Sequence, residues 1–469
     1  MNIDLSLKPK YLESKNDLHE NLLKRWQYFL NHCQHAALEI KNCDASLLSL
    51  HHNNQAAEAI WTFFSLYLSA KEQTLKTETK TSIHALKPLQ TASLTHIDDL
   101  DKQNENHPNW NQLATIKLNG GLGTSMGCAG PKSLIPVFKG ETFLQLILKQ
   151  QQHLNQRYQS KSPLFFMNSI FTQDACSKLI SSSSSQTFLQ NHFPRIPCDP
   201  LRPLHFKEKQ TYFYPPGHGD IFSAFQQSGH LDRLVQNGVK YAFISNSDNL
   251  AAVPDPRILQ HMIDKKIDFL MEVTPKTVLD IKGGALTLDN GRMRLLERAD
   301  VPETELKLFE DISTFQLFNT NNLWVNLKTL QQKLKEGFSL PVILNQKKIE
   351  GQDLLQIETA MGSAIGLFEH SAALIVERDR FMPIKNTSDL FLLQSDLIIK
   401  DKNTGMITKN PLYSKMELPR ISFPKAMLSM AGYEDHVHSI PSLLACDSLH
   451  IAEPCVIQSS MVCKGHVKI

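Results

Sequence analysis

Apolar residues recur at helical spacing through the first hundred positions: Leu22, Leu23, Trp26, Phe29 and Leu30 share one face, as do Ile60, Phe63, Phe64 and Leu68. The pattern predicts a helical region over residues 1–110, without recognisable chemistry, that covers the domain after it. Beyond residue 111 the pattern changes. Short apolar runs at 113–118, 164–167, 241–244 and 269–273 read as strands, and residues 142–154 and 256–265 read as helices between them. That alternation predicts an α/β domain over residues 111–408 with a largely parallel sheet. Asn290-Gly291, set between apolar runs at 285–288 and 293–296, adds an antiparallel hairpin. The serine run at 181–185 and the Pro-rich stretch 194–203 read as solvated loop.

Over residues 409–469 the alternation fades and a different period takes over. Leu449, Cys455, Met461 and Val467 recur every six residues, and Ile451, Ile457, Cys463 and Ile469 repeat the step two positions later. This is a hexapeptide β-helix pattern, but it is too brief to bury a core of its own. It reads as a shortened coil that docks on its own α/β domain or holds a homo-oligomer together through a partner subunit.

Composition narrows the classes. The 49 basic and 47 acidic residues nearly cancel, so no overall field recruits nucleic acid or an anionic membrane. The 8 cysteines form no CxxC pair, the N-terminus lacks a basic segment followed by an apolar one, and no apolar run approaches the roughly 18 residues of a membrane span. The expectation is a reduced, cytoplasmic protein without membrane segments.

The densest chemistry follows the first strand, where 5 glycines fall within residues 120–130, ahead of Pro131-Lys132-Ser133. Such a loop lets backbone N–H groups approach phosphate oxygens and base edges. The dinucleotide fingerprint G-x-G-x-x-G fails because Met126 stands where the last glycine belongs, and a Walker A loop fails because Pro131 separates Gly130 from Lys132. Asp248, just past the strand at 241–244, is a carboxylate at a strand end, where a Mg²⁺ ion shared with phosphate oxygens is bound; an Asx turn explains the local sequence equally well.

Residues 118–133 resemble the nucleotide-binding signature of eukaryotic-type UDP-glucose pyrophosphorylases, L-N-G-G-L-G-T-x-M-G-x-x-G-P-K-S. The resemblance continues in order through 167–169, 193–196, 215–220, 245–250, 271–284, 318–324 and 385–390. It implies a nucleotide-diphospho-sugar transferase fold, a Rossmann-like mixed α/β sheet, followed by a left-handed β-helix. It also implies that UTP and glucose 1-phosphate become UDP-glucose and pyrophosphate with Mg²⁺ as cofactor.

By the same resemblance the backbone of Leu118, Asn119, Gly120 and Gly121, with Gln190 and Gly217, holds uracil, while His218 and Asn246 lie near the sugar phosphate or ribose. Lys132 meets the UTP phosphates and Lys385 stabilises transition-state charge. Glu297, Asn319 and Asn321 grip glucose hydroxyls, with Lys282 as a further phosphate contact and Asp248 as the metal ligand. The chain departs from the family pattern at Ser247, Ala129 and residues 278–281. A broader UDP-sugar or UDP-N-acetylhexosamine pyrophosphorylase would share the uridine contacts. A silent sugar-nucleotide-binding regulator would be expected to have lost Lys132, Asp248 or Lys385, and all three are present.

Overall fold

The computed structural model describes residues 82–101, 109–128, 130–138, 140–181, 183–198, 211, 213–278, 280–415 and 417–469. The expected N-terminal helices fall almost wholly outside these residues. The described part of that region has no α-helix: Ile83–Ala85, Thr91–Ser93 and Ile97–Asp99 are single 3₁₀ turns that alternate with the short strands Lys87–Pro88 and Thr95–His96. Lys87–Pro88 pairs with Leu288 and Thr287, and Thr95–His96 with Leu374 and Ile375, so contacts far along the chain set the conformation here.

The larger unit comprises Lys80–Gln190, Ile221–Ser339 and Met361–Ile469. Its sheet has 8 strands. They are β1 (Thr95–His96), β2 (Leu113–Asn119), β3 (Leu164–Asn168), β4 (Gln186–Leu189), β5 (Tyr241–Asn246), β6 (Phe269–Pro275), β7 (Leu317–Asn326) and β8 (Ser371–Ile375). Across the sheet they run β1-β8-β6-β7-β5-β2-β3-β4, and only β7 is antiparallel to its neighbours. The strands expected from apolar runs are β2, β3, β5 and β6. β7 escapes that reading because Asn319, Thr320, Asn321 and Asn322 interrupt its apolar pattern.

Helix α1 (Phe143–Arg157) begins at a capping box in which Thr142 Oγ1 accepts from Gln145 N and Gln145 Oε1 accepts from Thr142 N. Helix α2 (Pro256–Lys265) starts on Asp255, with Pro256 in its first turn, and ends at Lys266 in the left-handed region (φ 54°). The hairpin at Asn290-Gly291 forms with both turn residues at positive φ, 50° and 82°, which the Asn-Gly pair tolerates best.

β2 is buried along its whole length and yet carries Lys117. The ammonium donates to Ser245 Oγ at 2.7 Å and the Ala252 carbonyl at 2.6 Å. Burial, reinforced by Arg380, pushes its pKa down to about 7.

The smaller unit, among the described residues, is formed by Asn191–Asp220 and Leu340–Ala360. A long hairpin, Val342–Ile349 with Gln352–Thr359, is its centre, and Ile196–Pro197 adds a third strand. Tyr214 Oη accepts from Ile357 N at 2.6 Å. The buried Asp220 accepts from Asn191 N and Nδ2 at 2.8 Å each, and burial pushes its carboxyl up to about 7. Nothing in the sequence pattern announces this unit, because its two segments are separated by more than a hundred residues.

At the C-terminus β9 (Arg420–Ser422), β10 (Cys446–His450) and β11 (Gly465–Lys468) form a parallel sheet. Leu449 faces Val467, three steps of the six-residue period apart. Cys446, Leu449, Ile451, Ile457 and Cys463 join one apolar cluster with Phe143 and Leu144 of α1 and with Leu390 and Phe391. Deleting residues 447–469 strips Leu449, Ile451 and Ile457 from that cluster, at roughly 1.5–3 kcal/mol each. The expected result is a melting temperature lower by about 5 °C or more in a thermal scan; an unchanged melting curve contradicts the packing described.

Candidate active site

The glycine loop, Lys132, Asn246 and Asp248 lie just beyond or at the carboxyl ends of β2 and β5, the edge where open α/β sheets bind ligands. Leu118 pairs with Asn246 across these strands, and Ser247 N donates to the Leu118 carbonyl at 3.0 Å. Past β2 the chain turns through Gly123 at φ 62° and Gly127 at φ 60°, and a Cβ at Gly123 would stand 2.7 Å from Cys128 Sγ. Lys132 N closes the loop on the Gly121 carbonyl at 3.0 Å.

Three side chains hold the start of this loop from β3 and the turn after it. Asn119 Nδ2 donates to Asn168 Oδ1 at 2.7 Å, Thr172 Oγ1 to the Asn119 carbonyl at 2.8 Å and Ser169 Oγ to the Gly120 carbonyl at 3.0 Å. A Cβ at Gly120 would lie 2.9 Å from Gln190 Oε1, so Gln190 stands against the loop, its own N–H on the Asn168 carbonyl at 2.7 Å. Gly217 and His218 belong to the smaller unit, where Gly217 (φ 81°) turns so tightly that a Cβ would lie 2.5 Å from the Thr359 carbonyl oxygen.

Asp248 is the centre of charge. Lys132 Nζ lies 2.7 Å and Lys385 Nζ 3.1 Å from the same carboxylate oxygen, Oδ2, and Lys132 also donates to the Ile384 carbonyl. The other oxygen, Oδ1, is buried with no hydrogen-bond partner. Burial pushes the Asp248 carboxyl up, but the charges of Lys385 and Lys132 and their hydrogen bonds outweigh it and hold the group below its ordinary range. Asp248 is therefore ionised, with one oxygen committed to two cations and the other aimed at nothing in the protein. Lys385 precedes helix α3 (Thr387–Gln394), where Asp389 Oδ2 accepts from Lys385 N at 2.7 Å and Asn386 N at 3.1 Å.

A second group lies on β7 and the hairpin. Asn319 Nδ2 donates to Asn321 Oδ1 at 3.1 Å and Asn321 N to Asn319 Oδ1 at 2.8 Å. Asn321 has φ 58°, opposite a register shift in β6 between Met271 and Val273. Glu297 lies against Gly284, where a Cβ would meet its Oε1 at 3.0 Å. Burial pushes the Glu297 carboxyl up, Asp300 adds to the shift and Lys276 opposes it. Lys282 is exposed.

The sequence singled out neither the buried support beneath Lys385 nor its partners. Glu272 on β6 is 0% exposed and accepts from Trp324 Nε1 and Arg380 Nη2, at 2.9 Å each, and from Asn322 Nδ2 and Arg380 Nε, at 3.1 Å each. A carboxylate inside the apolar run 269–273 was the available signal, since a buried charge demands partners. His96, Asp98 and Glu377 also bring ligand-type atoms within 4.8 Å of one another, but His96 Nδ1 already accepts from Asp98 N at 3.2 Å as a cap.

A family model described as UTP--glucose-1-phosphate uridylyltransferase matches residues 61–464. The protein of that name from Pyrus pyrifolia is 43% identical over 366 residues, 76% of this chain and 77% of its own. A UDP-glucose phosphorylase from Trypanosoma brucei superposes with a TM-score of 0.78 at 31% identity, covering 88% of this chain and 97% of its own. A variant of the Leishmania major UDP-glucose pyrophosphorylase, solved in complex with UDP-glucose, gives a TM-score of 0.76 at 30% identity, covering 87% and 95%. With the glycine loop, the Asp248 cluster and the mixed sheet in place, these likenesses agree on one conclusion: the chain belongs to the UTP–glucose-1-phosphate uridylyltransferase family.

Proposed function

We propose that this chain joins UTP and glucose 1-phosphate into UDP-glucose, releasing pyrophosphate, with Mg²⁺ bound at Asp248. The observation that carries the reading is the Asp248 carboxylate itself, ionised, with two lysines on one oxygen and the other buried without a partner. That free oxygen suits a hard cation, which favours one or two carboxylates together with phosphate oxygens. The ion would supply neutralisation of the crowded phosphates.

The remaining work falls to the chain's own groups. The glycine loop and Gln190 hold the uracil, Lys132 draws the phosphates to the sheet edge, and Lys385 meets the charge that grows on the α-phosphoryl group. Little covalent help is needed, because in-line phosphoryl-type transfer depends on positioning and charge. Glu297, Asn319 and Asn321 present acceptors and amides suited to sugar hydroxyls, and Asn246 serves the sugar phosphate or ribose; Lys282 is a further phosphate contact.

The same reading extends to the rest of the chain. The parallel strands β9 to β11, with Leu449 and Val467 in register, support a single coil of left-handed β-helix that docks on its own α/β domain through Leu449, Ile451 and Ile457, or on a partner subunit. Free thiols at all described cysteines suit the cytoplasm.

Pyrophosphate release is expected to require UTP, glucose 1-phosphate and Mg²⁺ together; equal turnover with ATP, or full activity in excess chelator, overturns the assignment. Lys385→Ala should lower kcat by about 10² or more, the scale of losing one preorganised charge. A folded variant that keeps most of its kcat shows Lys385 to be an ordinary surface lysine. Asp248→Asn keeps the volume and removes the charge, so its half-saturating Mg²⁺ concentration should rise about tenfold or more; an unchanged titration places the ion elsewhere.

A further inference from the structure

Lys385 has a long, mostly exposed side chain, 58% accessible, yet the reaction asks it to meet one oxygen reproducibly. Its accuracy has to come from its backbone. The segment carrying it, residues 376–386, runs alongside residues 248–253 and is tied to them at alternate positions. Asn249 Nδ2 donates to the Arg380 carbonyl at 3.1 Å, Met382 N donates to Asn249 Oδ1 at 3.2 Å, and Ile384 N donates to the Asp248 carbonyl at 3.1 Å. Lys385 is the next residue.

We infer that Asn249, seated over the buried Arg380–Glu272 pair, is a positioning residue that sets the reach of Lys385 toward Asp248. Its amide is 2% exposed and spends both ends on this segment, one donating and one accepting. Because Asn249 directly follows Asp248, the amide couples the backbone that presents the carboxylate to the backbone that presents the lysine.

Below it, the Arg380 fork takes both oxygens of Glu272 and donates to the Val253 carbonyl at 2.9 Å, so the anchor is fixed in orientation as well as depth. Met382 and Ile384 hang from Asn249 and Asp248 between that anchor and Lys385. Losing the amide frees the span to move outward, and a shift of about 1 Å at a catalytic group is enough to cost up to 10²-fold in rate.

The inference rests on the proposed role of Lys385, and a double-mutant cycle separates the two. Asn249→Ala leaves the Arg380–Glu272 pair whole and should lower kcat by about tenfold, with KM for UTP and glucose 1-phosphate changed less than about twofold. In a Lys385→Ala background the same change should cost less than about twofold, because the group it positions is gone. Melting curves confirm that each variant is folded. If Asn249→Ala costs the same factor in both backgrounds, or leaves kcat intact, Asn249 is a structural residue and the inference is overturned. If folded Lys385→Ala retains full kcat, the role of Lys385 fails first and the inference falls with it. Should Asn249→Ala melt below the assay temperature, Asn249→Ser, which keeps a hydroxyl toward Met382 N, takes its place in the cycle with the same outcomes deciding.

Discussion

A carboxylate withdrawn from water at the end of a strand stays ionised only when positive charge is brought to it, and Asp248 is placed under that constraint. Two lysines meet its Oδ2 from opposite ends of the sequence, Lys132 from the glycine loop after β2 and Lys385 from the segment before α3. Their arrival decides how the surrounding chain must run. The loop has to turn back within a few residues, which accounts for the left-handed glycines at 123 and 127. The segment before α3 has to lie flat along the turn after β5, which accounts for the hydrogen bonds from Asn249.

Such a cluster is unfavourable to assemble from side chains alone, because two like charges are crowded onto one anion and partly desolvated. The cost is offset beneath it. Glu272, Arg380, Trp324 and Asn322 form a closed network in which both carboxylate oxygens are satisfied, and Arg380 reaches on to the Val253 carbonyl. Lys117, on β2 beside β5, is held on Ser245 and the Ala252 carbonyl. The interior below the site thus holds buried charges whose hydrogen bonds at Glu272, Arg380 and Lys117 give the loops above an oriented floor that a purely apolar sheet would not supply.

The sugar side is organised differently, by backbone geometry. Antiparallel β7 enters a sheet whose other pairings are parallel, and its register with β6 slips opposite Asn321, which takes a left-handed conformation. Asparagine tolerates that conformation better than most residues, and the slip turns Asn319 and Asn321 onto each other. Two amides that would stand a full strand repeat apart on one face of a regular strand are brought into direct hydrogen bonding.

The sequence by itself determined the α/β class, four strands of the sheet, α1 and α2, the Asn-Gly hairpin and the family. Each depends on residues close together in the chain: an apolar run, a cap, a turn pair or a continuous motif. Lys132, Asp248 and Lys385 were legible for the same reason, since each sits within a recognisable local block. Only the tertiary structure decided that the three share one carboxylate oxygen, that Asp248 Oδ1 has no protein partner, and that Glu272 and Arg380 meet beneath them. It alone revealed that Asn191–Asp220 and Leu340–Ala360 form one unit among the described residues, and that Lys87–Pro88 and Thr95–His96 pair with strands far along the chain. In every such case the deciding contact joins residues far apart in sequence, and its energy depends on burial and hydrogen-bond geometry that no local pattern contains.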